Sequence, residues 1–328
     1  MLMPWLLHGL WAGLLAAAPA ASLGQASPSS PALAVSRNFK LSGFAQAAYT
    51  WTNDALDTFA VRRVRLSLAG EVAPKVNLKL QADLTKSPLL LDAMVDVQFS
   101  PGFNLRLGQF YVPFGREARI STDDLETVFR SQISEKLAPG RDIGASGRDI
   151  GAQVFGQVSV FEYLAGVFNG SGINRLDQNE KKDVGARLAV QPASGLSLGA
   201  SVYEGRTVPA SGGPEYARRR TGFDGVLTLG GLLLRAEWMR GRDGRTSKEG
   251  WFFQGVWEAV PKRFQAVAKW DSYDPDSEVS DDRTGILTVG AVWRLSDRTR
   301  LLANALWSRR QGAAAPSRSL ILQFQAGF

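Results

Sequence analysis

Apolar and polar residues alternate along most of this chain. From Phe39 onward, sixteen segments of roughly 9 to 14 residues carry apolar side chains at every second position, the period of a strand with one greasy face and one wet face. They begin near Phe39, Thr58, Val76, Leu90, Phe103, Arg148, Val160 and Lys182. The remainder begin near Leu196, Arg218, Leu232, Gly250, Arg263, Arg283, Thr299 and Arg318. A tilted strand needs ~9–11 residues to cross the hydrocarbon of a bilayer. An even number of such strands without helical crossovers predicts an all-β fold, a transmembrane antiparallel β-barrel of about sixteen strands.

The connections follow the same logic. Those after even-numbered strands are tight, as in EVAPK, SPG, QPASG, VPK and LSDR, whereas several after odd-numbered strands are longer. Short turns on one side and long loops on the other are expected of an outer-membrane barrel. One stretch departs from the alternation. FNLRLGQFYV stops at Pro113–Gly115, and strand periodicity resumes only at Arg148. The intervening segment, Pro113 to Ser146, is rich in both charges and contains a short helical pattern over Asp123 to Leu137. A loop this long inside a compact domain is usually functional. The expectation is a third outer loop folded into the lumen, narrowing the pore.

Parity assigns the wall of that pore. Val64, Leu66 and Leu68 face lipid, so Arg63 and Arg65 face inward, while Arg62 has lipid parity and should sit near the interface or snorkel. The same reading turns Lys79, Arg106, Arg187, Arg218, Arg220, Arg235 and Lys269 inward. Arg218 and Arg220 would lie near the outer mouth, Arg63, Arg65 and Arg187 at mid-depth, and Arg106 and Arg235 further in. Arg116, Arg119, Arg130 and Lys136 are the candidate constriction residues of the loop. Guanidinium forks suit phosphate oxygens, and rings of Arg or Lys draw anions into pores. Inward carboxylates are almost as numerous, so the wall as a whole is nearly balanced and only clustering could favour anions. The competing role for each arginine is to brace the loop by pairing with a carboxylate.

Composition narrows the functions. The chain has no Cys and a single His, at position 8. Ser-His dyads, thiol nucleophiles and His metal sites are therefore excluded beyond that point. No catalytic residue, metal site, cofactor or nucleic-acid partner is expected. Residues 1–36 carry no Lys, Arg, Asp or Glu, so the net charge of +7 belongs to the rest of the chain, a balance that suits anionic partners. Leu2 to Ala21 is apolar and ends in small residues. This reads as a secretory signal peptide over 1–26, without the usual basic residue before its apolar core. Residues 27–37 read as a short periplasmic linker and 38–328 as the barrel.

The segments VRRVRLSLAGEV, KLQADL and LLDAMVDVQFSPGFNLRLGQF, then GQFYVPFG and PGRDIGASGRDIGAQ, resemble the phosphate-selective porins of the O and P type. The likeness is densest over Phe59 to Gly156. It implies an outer-membrane porin passing small inorganic anions, with phosphate or oligophosphate as solute. It also implies a homotrimer, a lumen ascended by arginines, of which Arg63 and Arg65 are the match, and lysines at the constriction, where the loop instead offers Arg116, Arg119, Arg130 and the single Lys136. The final strand, SLILQFQAGF, resembles the C-terminal signal that delivers such barrels to their assembly machinery, ending at Phe328. Outer-membrane lipid and lipopolysaccharide would surround it. The alternatives are a general or weakly selective porin and, less favoured, a closed structural or adhesive barrel. Sixteen strands leave a bore too wide for side chains alone to fill. The repeat GRDIGA–S–GRDIGA has an odd step of seven, so its two copies cannot both lie in one strand with the same face inward.

Overall fold

The computed structural model describes residues 39–53, 55–208 and 213–328. The expected signal peptide and linker lie outside them. Sixteen strands follow in order: β1 (Lys40–Thr52), β2 (Thr58–Ala73), β3 (Val76–Asp83), β4 (Leu90–Ser100), β5 (Phe103–Tyr111) and β6 (Arg148–Val158). Next come β7 (Phe161–Phe168), β8 (Asp183–Ala193), β9 (Leu196–Thr207), β10 (Tyr216–Leu229) and β11 (Leu232–Asp243). The chain closes with β12 (Thr246–Val260), β13 (Phe264–Asp274), β14 (Thr284–Arg294), β15 (Thr299–Arg310) and β16 (Ser317–Gly327). Each pairs antiparallel with its neighbours, and β1 pairs with β16, so the sheet is a closed barrel without edges. Closure satisfies every backbone group that a bilayer could not.

The alternation read from sequence is the physical division of the wall. On β16, Leu320, Leu322 and Phe324 are 40%, 47% and 43% exposed, while Ile321, Gln323 and Gln325, which alternate with them, are 1%, 2% and 4% exposed. Ile321 apart, greasy side chains here point out to lipid and polar ones point into the barrel. Connections at the end holding Lys40 and Phe328 are two to four residues long. The loops are at the other end. The sixth, between Asp243 and Thr246, is itself tight, unlike the third.

Two local expectations need correction. Arg62 does not face lipid. The pairing of β1 with β2 shifts between Gln46 and Ala47, whose partners are Arg63 and Val61. The extra residue of this β-bulge is Arg62. Its Nη1 donates to Gln323 Oε1 at 3.2 Å on the inner wall. The helix expected over Asp123 to Leu137 is only one turn, α1 (Gln132–Lys136), preceded by a 3₁₀ turn at Glu117–Arg119. Before Ser131, groups that a helix would use internally bond to the barrel instead. Val128 N–H donates to Asn304 Oδ1 at 2.7 Å, and the Asp123 carbonyl accepts from Gln325 Nε2 at 3.3 Å.

Candidate functional site

The segment 112–147 between β5 and β6 is held by apolar anchors, a small one where Ala145 packs with Leu91 and Ile173 and two larger ones, and by a set of polar contacts. Phe114, Ile133 and Leu137 pack with Phe168, Tyr203, Met239 and Phe252, which point inward from β7, β9, β11 and β12. Val128 packs with Ala48, Val292, Leu302 and Ile321, inward residues of β1, β14, β15 and β16. Burying each large side chain is worth ~1.5–3 kcal/mol. Leaving β5 and touching both groups of strands takes the chain across the interior.

Polar contacts fix the turn at the start of the loop. Gly115 has φ +64°, and a Cβ there would lie 2.6 Å from Glu237 Oε1. Glycine thus permits both the left-handed backbone and the close approach of the carboxylate. Glu237 accepts from the N–H groups of Arg116 at 2.7 Å and Glu117 at 3.1 Å. Glu117 is fully buried and ties the loop to itself, accepting from Ser131 N–H at 2.8 Å and Ser131 Oγ at 2.6 Å. Lys269 Nζ lies 3.8 Å away. Burial pushes the Glu117 carboxyl up, but Lys269, Arg130 and the Ser131 hydroxyl outweigh it and hold it below its ordinary value.

Most of the candidate cations are partnered. Arg65 pairs with Asp83 at 3.0 Å, Lys79 with Asp92 at 2.9 Å, and Arg106 with Asp96 through two bonds of 2.7 Å. Arg187 and Arg116 share Asp224. Arg218 and Arg220 converge on Asp142 at 3.5 and 2.8 Å. Arg235 pairs with Glu126 at 3.1 Å, and Arg130 lies 3.6 Å from Glu135. Lys269 also donates to the Phe129 carbonyl at 2.7 Å. Arg63, Arg119 and Lys136 form no ion pair among the described residues. Burial pushes the Arg119 and Arg130 guanidiniums down to about 10, and both stay charged at neutral pH.

The two copies of GRDIGA have separate tasks. Arg141 of the first donates from Nε to the Ala118 carbonyl at 3.0 Å inside the loop. Arg148 of the second opens β6 and pairs with Asp92.

Several unpaired cations gather on one side of the wall, apart from Arg119. Arg63 Nη1 donates to Gln46 Oε1 at 3.0 Å, beside the inward-turned Arg62, and Lys86 Nζ meets only the Ser146 hydroxyl, at 3.2 Å. Glu135 of the loop bears on all three, and Asp83 of β3 bears more strongly on Arg63 and Lys86. Deeper, at the end holding Lys40 and Phe328, is a cavity of about 380 Å³. Arg65, Arg294, Arg298 and Arg300 line it with Asp123 and Asp124. Arg294 and Arg300 hydrogen-bond only to Gln265 and Gln325, at 3.4 and 3.2 Å. Parity also turns Arg294 and Arg300 inward, where the cavity has them, whereas Arg62 and Lys86 are not among the inward residues read from sequence. The run of adjacent arginines at 62 and 63 was the available signal, since a charge left on the lipid face is costly and a bulge removes it.

Comparison with solved structures gives the same architecture at low sequence identity. The anion-selective porin of Comamonas acidovorans superposes with a TM-score of 0.70 at 15% identity, covering 88% of this chain and 99% of that one. OmpF of Salmonella typhi, solved with daunomycin, gives 0.67 at 10% identity over 89% and 98%. The outer membrane channel DcaP of Acinetobacter baumannii gives 0.65 at 11% over 88% and 97%. A comparison with curated proteins finds no match. Residues 40–219 match the sequence profile of the family described as phosphate-selective porin O and P. With that match covering more than half of the chain and the closed sixteen-strand barrel around it, the chain belongs to the phosphate-selective porin O and P family of outer-membrane channels.

Proposed function

We propose that the protein passes small anions by diffusion through a pore narrowed by its third loop, with phosphate or an oligophosphate as the solute it holds best. The observation that carries this reading is the placement of the unpaired cations. Arg62, Arg63 and Lys86 lie on the loop-end side, and Arg294 and Arg300 lie beyond in the inner cavity. Arg65 stands between them, lining that cavity. The bracing role accounts for the other wall cations, whose charge the neighbouring carboxylates cancel. A nearly balanced wall therefore still offers anions one positive track. Each contact on it is a single hydrogen-bonded guanidinium or ammonium, weak enough to release its ion.

Arg119 adds a side site. It lines a cavity of about 230 Å³ with Arg116, Arg187 and Glu162. Lys136, exposed on the loop, is the remaining candidate at the constriction. The anions would reach this pore in the bacterial outer membrane, after export by the signal peptide and assembly directed by the strand ending at Phe328. Six tryptophans, Trp238, Trp251, Trp257, Trp270, Trp293 and Trp307, lie on β11–β15, and no tryptophan lies on β2–β10. Tryptophan marks the wall that meets lipid interfaces and lipopolysaccharide. The bare wall that includes Val61–Leu68 is then the face between copies in a homotrimer.

Block of chloride current by added phosphate tests the solute. Single channels in KCl should lose current as phosphate is added at constant ionic strength, with half-block at millimolar concentration or below. Current unaffected by phosphate would favour the general diffusion porin.

A further inference from the structure

Among the large apolar side chains of the third loop, Phe129 is the exposed one, with Ile120 and Ile143 half-buried. Phe114, Leu125, Val128, Ile133 and Leu137 are all at most 4% exposed, whereas Phe129 is 45% exposed. Its backbone is not loose. The Phe129 carbonyl accepts from Thr127 Oγ1 at 2.7 Å and from Lys269 Nζ at 2.7 Å. The neighbouring Val128 is clamped through its N–H to Asn304. The ring is thus held in the open on a fixed support.

Opposite it is Arg62, whose guanidinium carbon lies 4.4 Å from the centre of the ring. The β-bulge of β2 is what puts it there, and its bond to Gln323 on β16 keeps it in place. Arg63 follows on the same inner wall. The result is an aromatic surface with one guanidinium over it and a second on the neighbouring residue of the inner wall, on the track already assigned to anions. A bare inorganic anion gains nothing from the ring, because the π face is electron-rich. An anion that carries a flat apolar group gains from both parts. Its carboxylate can take the guanidinium fork, while its ring lies against Phe129 or the guanidinium plane.

We propose that Arg62, Arg63 and Phe129 form a subsite selecting, among the small anions that enter, carboxylates bearing a planar apolar group. This inference rests on the anion-pore reading and names a solute class within it. The test compares benzoate with acetate, probes of equal charge and the same carboxylate, as blockers of chloride current through the purified protein in a planar bilayer. Benzoate should half-block at a concentration about two- to tenfold below that of acetate. Phe129→Ala should bring the two together while leaving block by inorganic phosphate in place. Phe129→Leu, which keeps an apolar side chain and serves if the alanine variant fails to assemble, should also shrink the ratio.

Equal block by benzoate and acetate in the unaltered protein, or a ratio unchanged in both variants, would overturn the subsite. The KCl reversal potential of the same membranes separates the two levels of failure. An anion-directed potential with equal block removes only this subsite, and a cation-directed potential removes the anion pore and the subsite with it.

Discussion

At the residue scale, the arginines divide by what surrounds them rather than by where parity points them. Arg65 and Arg63 are two residues apart on β2, and both were read as pore-lining. Arg65 is 3% exposed against an Asp83 that is fully buried. Removing one partner of such a pair leaves the other charge buried and alone, which costs ~3–5 kcal/mol. Arg63 binds an uncharged glutamine and leaves no stranded carboxylate. Arg65→Ala should therefore lower the urea midpoint for unfolding of the barrel, whereas Arg63→Ala should change stability by only ~0.5 kcal/mol. Equal midpoints for the two variants would contradict the division into bracing and free cations.

At the element scale, the strands were legible and the loop was not. Period-two alternation located all sixteen, and the largest error in a start is four residues, at Thr246 against the expected Gly250. Those four residues belong to a tight loop-end turn where strand pairing continues, Asp243 lying opposite Thr246. Alternation was legible because lipid and lumen act on every residue of a strand alike. The partner of Arg62 on the inner wall and the broken helix of the third loop depend instead on single contacts with distant strands, through Gln323 and Asn304. No local pattern records those contacts. The candidate cations could be assigned to the inner face from sequence, but their partners could not, since Glu126 and Arg235 are 109 residues apart in the chain.

The hold on that loop has a pH dependence whose sign follows from Glu117. Its carboxyl titrates below the ordinary 4.5 in the folded protein. A group so depressed stabilises the folded arrangement above its ordinary value, and the contribution is lost as pH falls through the lower, folded value. The loop should stay anchored at neutral pH and loosen only in acid below 4.5. Open-channel current noise should rise there, and Glu117→Gln should show raised noise already at neutral pH. Noise that is flat from neutral to strongly acid pH, together with a quiet Glu117→Gln channel, would show that the carboxylate does not hold the loop.

At the scale of the whole molecule, the net charge of +7 says less than its distribution. On the proposed reading, the third loop divides a balanced lumen into a region where the arginines are paired with carboxylates and a track whose cations form no ion pair among the described residues, with Asp123 and Asp124 also lining its inner cavity. The first region includes the paired arginines of β8, β10 and β11. The track is made by β2, β14 and β15 with Lys86. On this reading ion selectivity is a property of the assembled barrel and loop, set by which cations the carboxylates of the strands and of the loop leave unpaired. The most direct test is the reversal potential of the purified protein in a planar bilayer under a KCl gradient. The potential should be displaced toward that of chloride, and Arg62→Ala with Arg63→Ala should move it back toward zero while conductance persists. A potential near zero or directed toward potassium in the unaltered protein would contradict the account.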